Sequence, residues 1–282
     1  AQYWIKRFAI DGWRLDVCAS LPPSFIDKFV REMRTIKPEI LIIGEIWGKN
    51  ADDLLRQGWI DGITNYSLYW EVIVPLFEKA ALSLEKAAEA IMSLNYRYSY
   101  PEARYSWNFS SNHDLPRLYS IVPDKQVYPL AIHLLYVLPG NPVIYYGEEI
   151  GLEGSSDPAN RKCMDWRAAD TPHPLQGIYK SLNRMRSTYK DIFNQGNLSI
   201  PYVDSKKKIL IIARYNRERA IHFIFNFSRE NRKIDIGKIL KKSRFTDIEK
   251  DTGQGPITAL EGYEVKILLS GREISPQEKK RF

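Results

Sequence analysis

Three carboxylates stand out by where they fall. Asp16 ends the run Gly12-Trp13-Arg14-Leu15-Asp16, Glu45 follows Leu41-Ile42-Ile43-Gly44, and Asp114 follows Phe109-Ser110-Ser111-Asn112-His113. Each lies just past a short run that reads as a strand. If those strands are parallel, their C-terminal ends share one face, and side chains just beyond them converge on one mouth. A lone acid at such a place also serves as a helix cap, and a lone Arg–Asp pair as a structural contact. The set of three allows a more specific chemistry. Cleavage of a glycosidic bond with retention needs one carboxylate that attacks and one carboxyl that protonates the leaving oxygen, roughly 5–5.5 Å apart. The attacking group has to stay ionised, and the acid has to hold its proton near neutral pH. Arg14, two residues before Asp16, lies on the same side of its strand, and a fixed cation there keeps Asp16 ionised. A third carboxylate orients the sugar and stabilises positive charge developing in the transition state.

The elements that must position these groups are legible as an alternation of short apolar runs and helical patterns, the signature of a parallel sheet. Strands are expected at Trp13–Val17, Ile40–Ile43, Ile60–Thr64, Tyr105–Phe109 and Pro142–Tyr146. Ile40–Ile43 is continuously branched, as in a strand buried on both faces. Phe25, Phe29, Val30, Met33 and Ile36 repeat at helical spacing, with Ser24 placed to cap that helix and Asp27 to complete a capping box. Further helices are expected near 69–80, 83–95, 125–138 and 175–192. Near Gly196 the pattern changes to β runs at Ile209–Tyr215, Ala220–Phe227 and Glu264–Leu269, a small all-β domain.

Composition excludes several classes. With 44% hydrophobic and 27% charged residues the chain of 282 residues is an ordinary globular one. The net charge of +7 is scattered in small clusters rather than drawn into a stripe interleaved with aromatics, which argues against nucleic-acid binding. No apolar run approaches the roughly 20 residues of a membrane span. Two cysteines, Cys18 and Cys163, make no disulfide framework and are expected to be free thiols without catalytic role. At Ala1 a helical pattern with Trp4, Ile5 and Phe8 on one face is already running, so the sequence looks cut from something longer.

At these residues the chain resembles a known family. Ile10–Val17 is similar to the nucleophile strand of the α-amylase superfamily (glycoside hydrolase family 13), Gly44-Glu45-Ile46-Trp47 to its general-acid motif, and Asn112-His113-Asp114 to its third catalytic motif. Pro139–Gly151 resembles its eighth-strand segment and Asp157–Trp166 a later loop, in the family's order, with motifs nearest the cyclomaltodextrinase, neopullulanase and maltogenic amylase group. The resemblance implies Asp16 as nucleophile, Glu45 as general acid/base and Asp114 as transition-state stabiliser. Arg14 would support Asp16, His113 would hydrogen-bond hydroxyls of the sugar being cleaved, Asn112 would belong to the substrate-binding set, Asp157 and Arg161 would contact a glucose further along the non-reducing side, and Trp47 would stack on a sugar face. Ala19-Ser20 departs from the Lys-His of typical α-amylases and from the Asn-Glu of cyclomaltodextrinases.

The implied fold is α/β: residues 1–195 as about strands 4–8 of a (β/α)8 TIM barrel, 196–270 as a small C-terminal β-sandwich, and 271–282 as a charged tail. Barrel strands one to three are not in the sequence, so a missing N-terminal barrel segment, on the same or a separate chain, is an expected partner, and the chain alone is expected to have little activity. The implied function is retaining hydrolysis of maltooligosaccharides, cyclodextrins or starch-like α-glucans. Transglycosylation uses the same acids. A non-catalytic assembly or binding subunit of this fold is the competing reading, against which the full set of acids and Arg14 speaks. No cofactor is required for the chemistry. A structural calcium would belong to the absent region, and no metal ligand is assigned here. The resemblance further implies a cytoplasmic protein and allows a homo-oligomer.

Overall fold

The computed structural model describes residues 1–48, 51–79, 81–97 and 104–271, so the charged tail expected at 271–282 lies outside the described residues save for Gly271. Five short strands run parallel, in chain order: β1 (Gly12–Leu15), β2 (Leu41–Gly44), β3 (Gly62–Ile63), β4 (Trp107–Asn108) and β5 (Asn141–Pro142). β1 pairs β2 from Gly12 opposite Leu41 to Leu15 opposite Gly44, and β2 pairs β3 through Ile43–Gly62 and Gly44–Ile63. A parallel bridge from Thr64 to Trp107 carries the sheet on to β4, which pairs β5. Leu15, Ile42 and Ile63 are buried with Ile26, Val30 and Ile60 in one apolar cluster beneath this corner.

The strands are shorter than the sequence suggests, for local reasons. β1 stops at Leu15 because Val17 takes a left-handed conformation (φ 46°, ψ 40°) that turns the chain out of the ladder. β4 stops at Asn108 because Ser110 and Ser111 turn their hydroxyls to the carboxylate of Glu148. The helix over Pro23–Ile36 starts at a proline and has no side-chain cap, so Ser24 is not the cap the sequence suggested. Proline at the first helical position has no N–H to satisfy and comes with the right φ. The expected helix near 69–80 is a turn at Tyr66–Leu68 running into π-type bonding over Tyr69–Glu78, with Pro75 inside it. Pro75 brings no N–H and needs room for its ring, which the widened turn supplies. The expected 175–192 helix is two, Pro174–Thr188 and Lys190–Gln195, broken at Tyr189.

From Asn197 the chain is built of antiparallel β: β6 (Asn197–Asp204), β7 (Ile209–Tyr215), β8 (Arg219–Asn226), β9 (Arg232–Asp235), β10 (Phe245–Asp247), β11 (Thr252–Gln254), β12 (Ile257–Leu260) and β13 (Val265–Gly271). Six of these form one sheet in the order β11-β10-β13-β8-β7-β6, and β9 pairs β12. The large sheet is apolar on both faces. Leu210, Ile212, Phe223 and Phe225 join the core of helix Tyr128–Val137 and the helices around it, while Ile209, Ile211, Ile224 and Leu268 pack with Ile234 and Leu260 of the β9–β12 pair. Double-sided burial explains why β7 reads as an unbroken apolar run rather than an alternation. The two regions are also tied by Arg214 of β7. Its buried guanidinium donates to the carbonyls of Ile192, Phe193 and Gly196 at the end of helix Lys190–Gln195, where a cation meets the negative end of the helix.

Candidate active site

Asp16 and Glu45 each sit one residue past the end of their strand, on neighbouring parallel strands, and Arg14 joins them. Its Nη1 donates to Asp16 Oδ1, and its Nη2 lies 2.6 Å from Glu45 Oε1. The hydrogen bond from Arg14 holds the Asp16 carboxyl below its ordinary range, with the guanidinium charge adding to it. The two acids differ in exposure. The Asp16 side chain is 75% exposed and Glu45 4%, so one acid reaches into the groove and the other is set in its wall.

The Glu45 carboxylate is held from several sides. Val17 N–H donates to Oε2 (2.8 Å), Trp47 Nε1–H donates to Oε1 (3.2 Å), and the Tyr66 hydroxyl lies 3.5 Å from Oε1. The first of these needs the left-handed turn at Val17, an uncommon conformation for a β-branched residue. The backbone beside Glu45 is also locked: its N–H donates to Leu15 O and its carbonyl accepts from Cys18 N–H. Cys18 packs under Gly44, where a Cβ would stand 3.1 Å from its sulfur. Burial pushes the Cys18 thiol up to about 11, an inert packing group, and Cys163 is exposed.

Asp114 reaches the same groove from a loop. Its Oδ1 accepts from Arg161 Nη2 (3.1 Å), and its Oδ2 lies 3.2 Å from His113 Nε2 and 3.4 Å from the Tyr66 hydroxyl. Arg161 Nη2 also lies 3.2 Å from Asp157 Oδ2. Asn112 donates from Nδ2 to the Tyr66 hydroxyl (2.9 Å) and accepts the Asp114 N–H on Oδ1. Asp16, Glu45, Asp114, Trp47, His113 and Arg161 line one groove of about 620 Å³, with Ala19 and Ser20 at its wall. Trp47 stacks on Tyr66 (centroids 4.5 Å, planes 20° apart) and is half exposed. One face of the indole is thus covered by protein.

The structure therefore brings Asp16, Glu45, Asp114, Trp47, His113 and Arg161 to one groove, with Arg14, Asn112 and Asp157 joined to it by the contacts above. Sequence reasoning missed Tyr66, which is buried and hydrogen-bonds to Asn112 while touching both Glu45 and Asp114. The available signal was position: Tyr66 follows β3 by three residues, at a strand end like the acids. No group of three or more His, Cys, Asp or Glu placed to hold a metal occurs among the described residues. No helix among them is long and apolar enough to cross a membrane.

The family model "Alpha amylase, catalytic domain" matches residues 1–196. The chain belongs to the α-amylase family. It is 33% identical over 236 residues to the maltogenic α-amylase of Bacillus acidopullulyticus, covering 82% of this chain and 39% of that protein. With the cyclomaltodextrinase of Geobacillus thermopakistaniensis it shares 32% over 237 residues, 84% of this chain and 40% of that one. The solved structure of the maltogenic amylase from S. marinus superposes with a TM-score of 0.79 at 28% identity, covering 96% of this chain and 37% of that chain. This α-amylase-family chain thus spans 39% and 40% of the length of those two curated relatives. Its parallel region has the α-amylase catalytic fold, a TIM barrel, and the antiparallel sheets that follow fit an all-β domain.

Proposed function

We propose that this chain carries the catalytic acids of a retaining α-glucoside hydrolase acting on maltooligosaccharides or cyclodextrins. The observation that carries the reading is the shared guanidinium: Arg14 holds the exposed Asp16 and the buried Glu45 together, with Asp114 reached through Tyr66. The substrate class rests on the names of the relatives, maltogenic amylase and cyclomaltodextrinase.

In this reading Asp16 attacks the anomeric carbon as Glu45 gives its proton to the departing glycosidic oxygen, and a covalent glycosyl–Asp16 ester forms. Glu45, now ionised, takes a proton from water, the hydroxide attacks the same carbon, and Asp16 leaves as carboxylate. Asp114, His113 and Arg161 fix sugar hydroxyls, and the charge of Asp114 favours the oxocarbenium-like transition state. Arg14 keeps the nucleophile ionised. The exposed face of Trp47 offers a stacking surface for a sugar ring. Asp157 orients Arg161 and extends the groove.

Residues 1–195 are assigned as about strands 4–8 of the barrel and 196–270 as the C-terminal domain. Completing the sugar pocket takes further barrel strands, from the same or a separate chain. Two observations support this. Among the described residues β1 has a partner strand on one side only. Beside it, helix Gln2–Phe8 buries Ile5 alone and presents Tyr3, Trp4 and Phe8 at 62%, 50% and 56% exposure. The expected outcome is little or no maltotriose cleavage by the chain alone, and hydrolysis with retention once the remaining strands are supplied. Proton NMR of the fresh product tests the chemistry: α-anomer is expected first, and β-anomer first contradicts the double displacement.

A further inference from the structure

Asp16 and Glu45 follow directly on hydrogen-bonded strand ends, but Asp114 lies six residues beyond Asn108, the end of β4. Its position must be set by something other than the ladder. The loop's own contacts are few: Asp114 N–H donates to Asn112 Oδ1, and Leu115 N–H donates to Asn112 O at 3.4 Å.

Beneath the loop lies a fully buried side chain outside the catalytic set. Asn160 Nδ2 donates to the carbonyls of His113 and Leu115 at 2.9 Å each and lies 3.4 Å from that of Asn112. Two N–H bonds serve three carbonyls, so the contacts close over the turn that carries Asp114. The amide orientation follows from chemistry: the reverse flip would aim Oδ1 at three carbonyl oxygens. Asn160 is in turn anchored. Its backbone carbonyl accepts from Arg117 Nε (3.1 Å), and Arg117 is itself fully buried, donates to Tyr146 O (2.6 Å) and is covered by the Tyr145 and Tyr146 rings at 4.3 and 4.7 Å. Gly154 lets this layer close, since a Cβ there would meet Ala159 O at 2.5 Å, and its carbonyl accepts Arg117 N–H.

We propose that Asn160 is the positioning residue of the third acid: its buried amide gathers the carbonyls of residues 112, 113 and 115 and thereby fixes where Asp114 points. Arg161 grips the same turn from the groove side, through His113 O and Asp114 Oδ1. Asn160 never meets the sugar, so its loss changes the rate of the chemical step rather than substrate capture.

The test has two arms. The kinetic arm rests on the hydrolase reading and uses the protein with its barrel complete. Asn160→Asp keeps the shape and replaces the donors with a charge facing three carbonyls. Expected is a fall in kcat of at least 30-fold per titrated active site with KM changed less than threefold, as a residue acting through Asp114 requires. A kcat per active site within twofold of wild type overturns the proposal. The second arm needs no turnover and no variant: in the wild-type chain the Asn160 side-chain amide hydrogens should exchange at least tenfold more slowly than those of exposed Asn194. Equal exchange also overturns the proposal, including where Asn160→Asp does not fold. The arms separate the two claims. If Asp114→Asn abolishes turnover while Asn160→Asp leaves kcat intact, positioning fails alone. If Asp114→Asn is fully active, the hydrolase reading fails and slow amide exchange still supports the anchor.

Discussion

The β1–β2 corner and the loop over residues 109–117 deliver acids to the same groove by different means. At the corner, each acid is one residue past a parallel ladder whose register runs Gly12–Leu41 to Leu15–Gly44, and backbone bonds on both sides of Glu45 fix it before any side chain is counted. In the loop the ladder has ended, and the turn depends on side chains: Asn112, Asn160 and Arg161 around it, Ser110 and Ser111 tied to Glu148 behind it. Ladder placement buries one of its two acids, Glu45, and leaves Asp16 exposed. Side-chain placement brings Arg117, Glu148 and Asn160 into the interior, at 0%, 2% and 0% exposure, where each is stable only while its partners hold.

The comparison can be broken most severely at the corner. In a protein with the barrel complete, the proposed nucleophile role of Asp16 predicts that Asp16→Asn lowers kcat on the order of 10³-fold or more, with unchanged unfolding temperature because the carboxylate is exposed. Residual activity above a few per cent would remove Asp16 from the nucleophile role.

A second prediction concerns stability in the loop region. Burial raises the Glu148 carboxyl to about 7, against the lowering effect of Ser111, Ser110, Tyr145 N–H and Arg117. Between its ordinary value and that value the folded chain keeps a proton the unfolded chain has released. The contribution of Glu148 is therefore full below about pH 4.5 and is lost as pH rises to about 7, a span of about 3 kcal/mol. Urea unfolding of Glu148→Gln against wild type at pH 5 and pH 8 should show the difference between the two proteins shifting by that order. A pH-independent difference would contradict it.

Tyr66 links the two regions. Tyr66→Phe keeps the stack on Trp47 and removes the hydroxyl that touches Glu45 and Asp114, so kcat should fall about tenfold with stability changed by about 1 kcal/mol. Unchanged kcat would leave the hydroxyl structural. The smallest effect is at Val17. Val17→Gly relieves the left-handed conformation and should stabilise the chain by about 0.5–1 kcal/mol, the steric relief outweighing the added freedom of the unfolded chain. Loss of stability instead would show that the turn carries little strain.

What could be read in the sequence follows the same division. The corner was legible: Ile40–Ile43 announced a buried strand, and Arg14 two residues before Asp16 announced their contact. Ile209–Tyr215 was legible as a β run, although nothing in that run says that Arg214 reaches back to the carbonyls of Ile192 and Phe193. The loop was legible only as a motif. Asn160 and Arg117 are 43 residues apart in sequence and meet through a side chain and a carbonyl, a contact with no periodicity to betray it. Tyr66 was hidden because β3 is two residues long and offers too little pattern to mark its end. The helix over Pro23–Ile36 opens on a proline rather than on a Ser24 cap; both are reasonable openings, and only the backbone decides between them.

The central claim is that Asp16 forms the covalent bond to the sugar. It is tested most directly by treating the protein, with its barrel complete, with a fluorinated maltosyl fluoride that reacts quickly and is released slowly. The peptide containing Asp16 should gain the mass of one fluorinated maltosyl group, with the anomeric fluoride released, and the gain should vanish in Asp16→Asn. A label on Glu45 or Asp114, or turnover with no adduct and an inverted product, would contradict it.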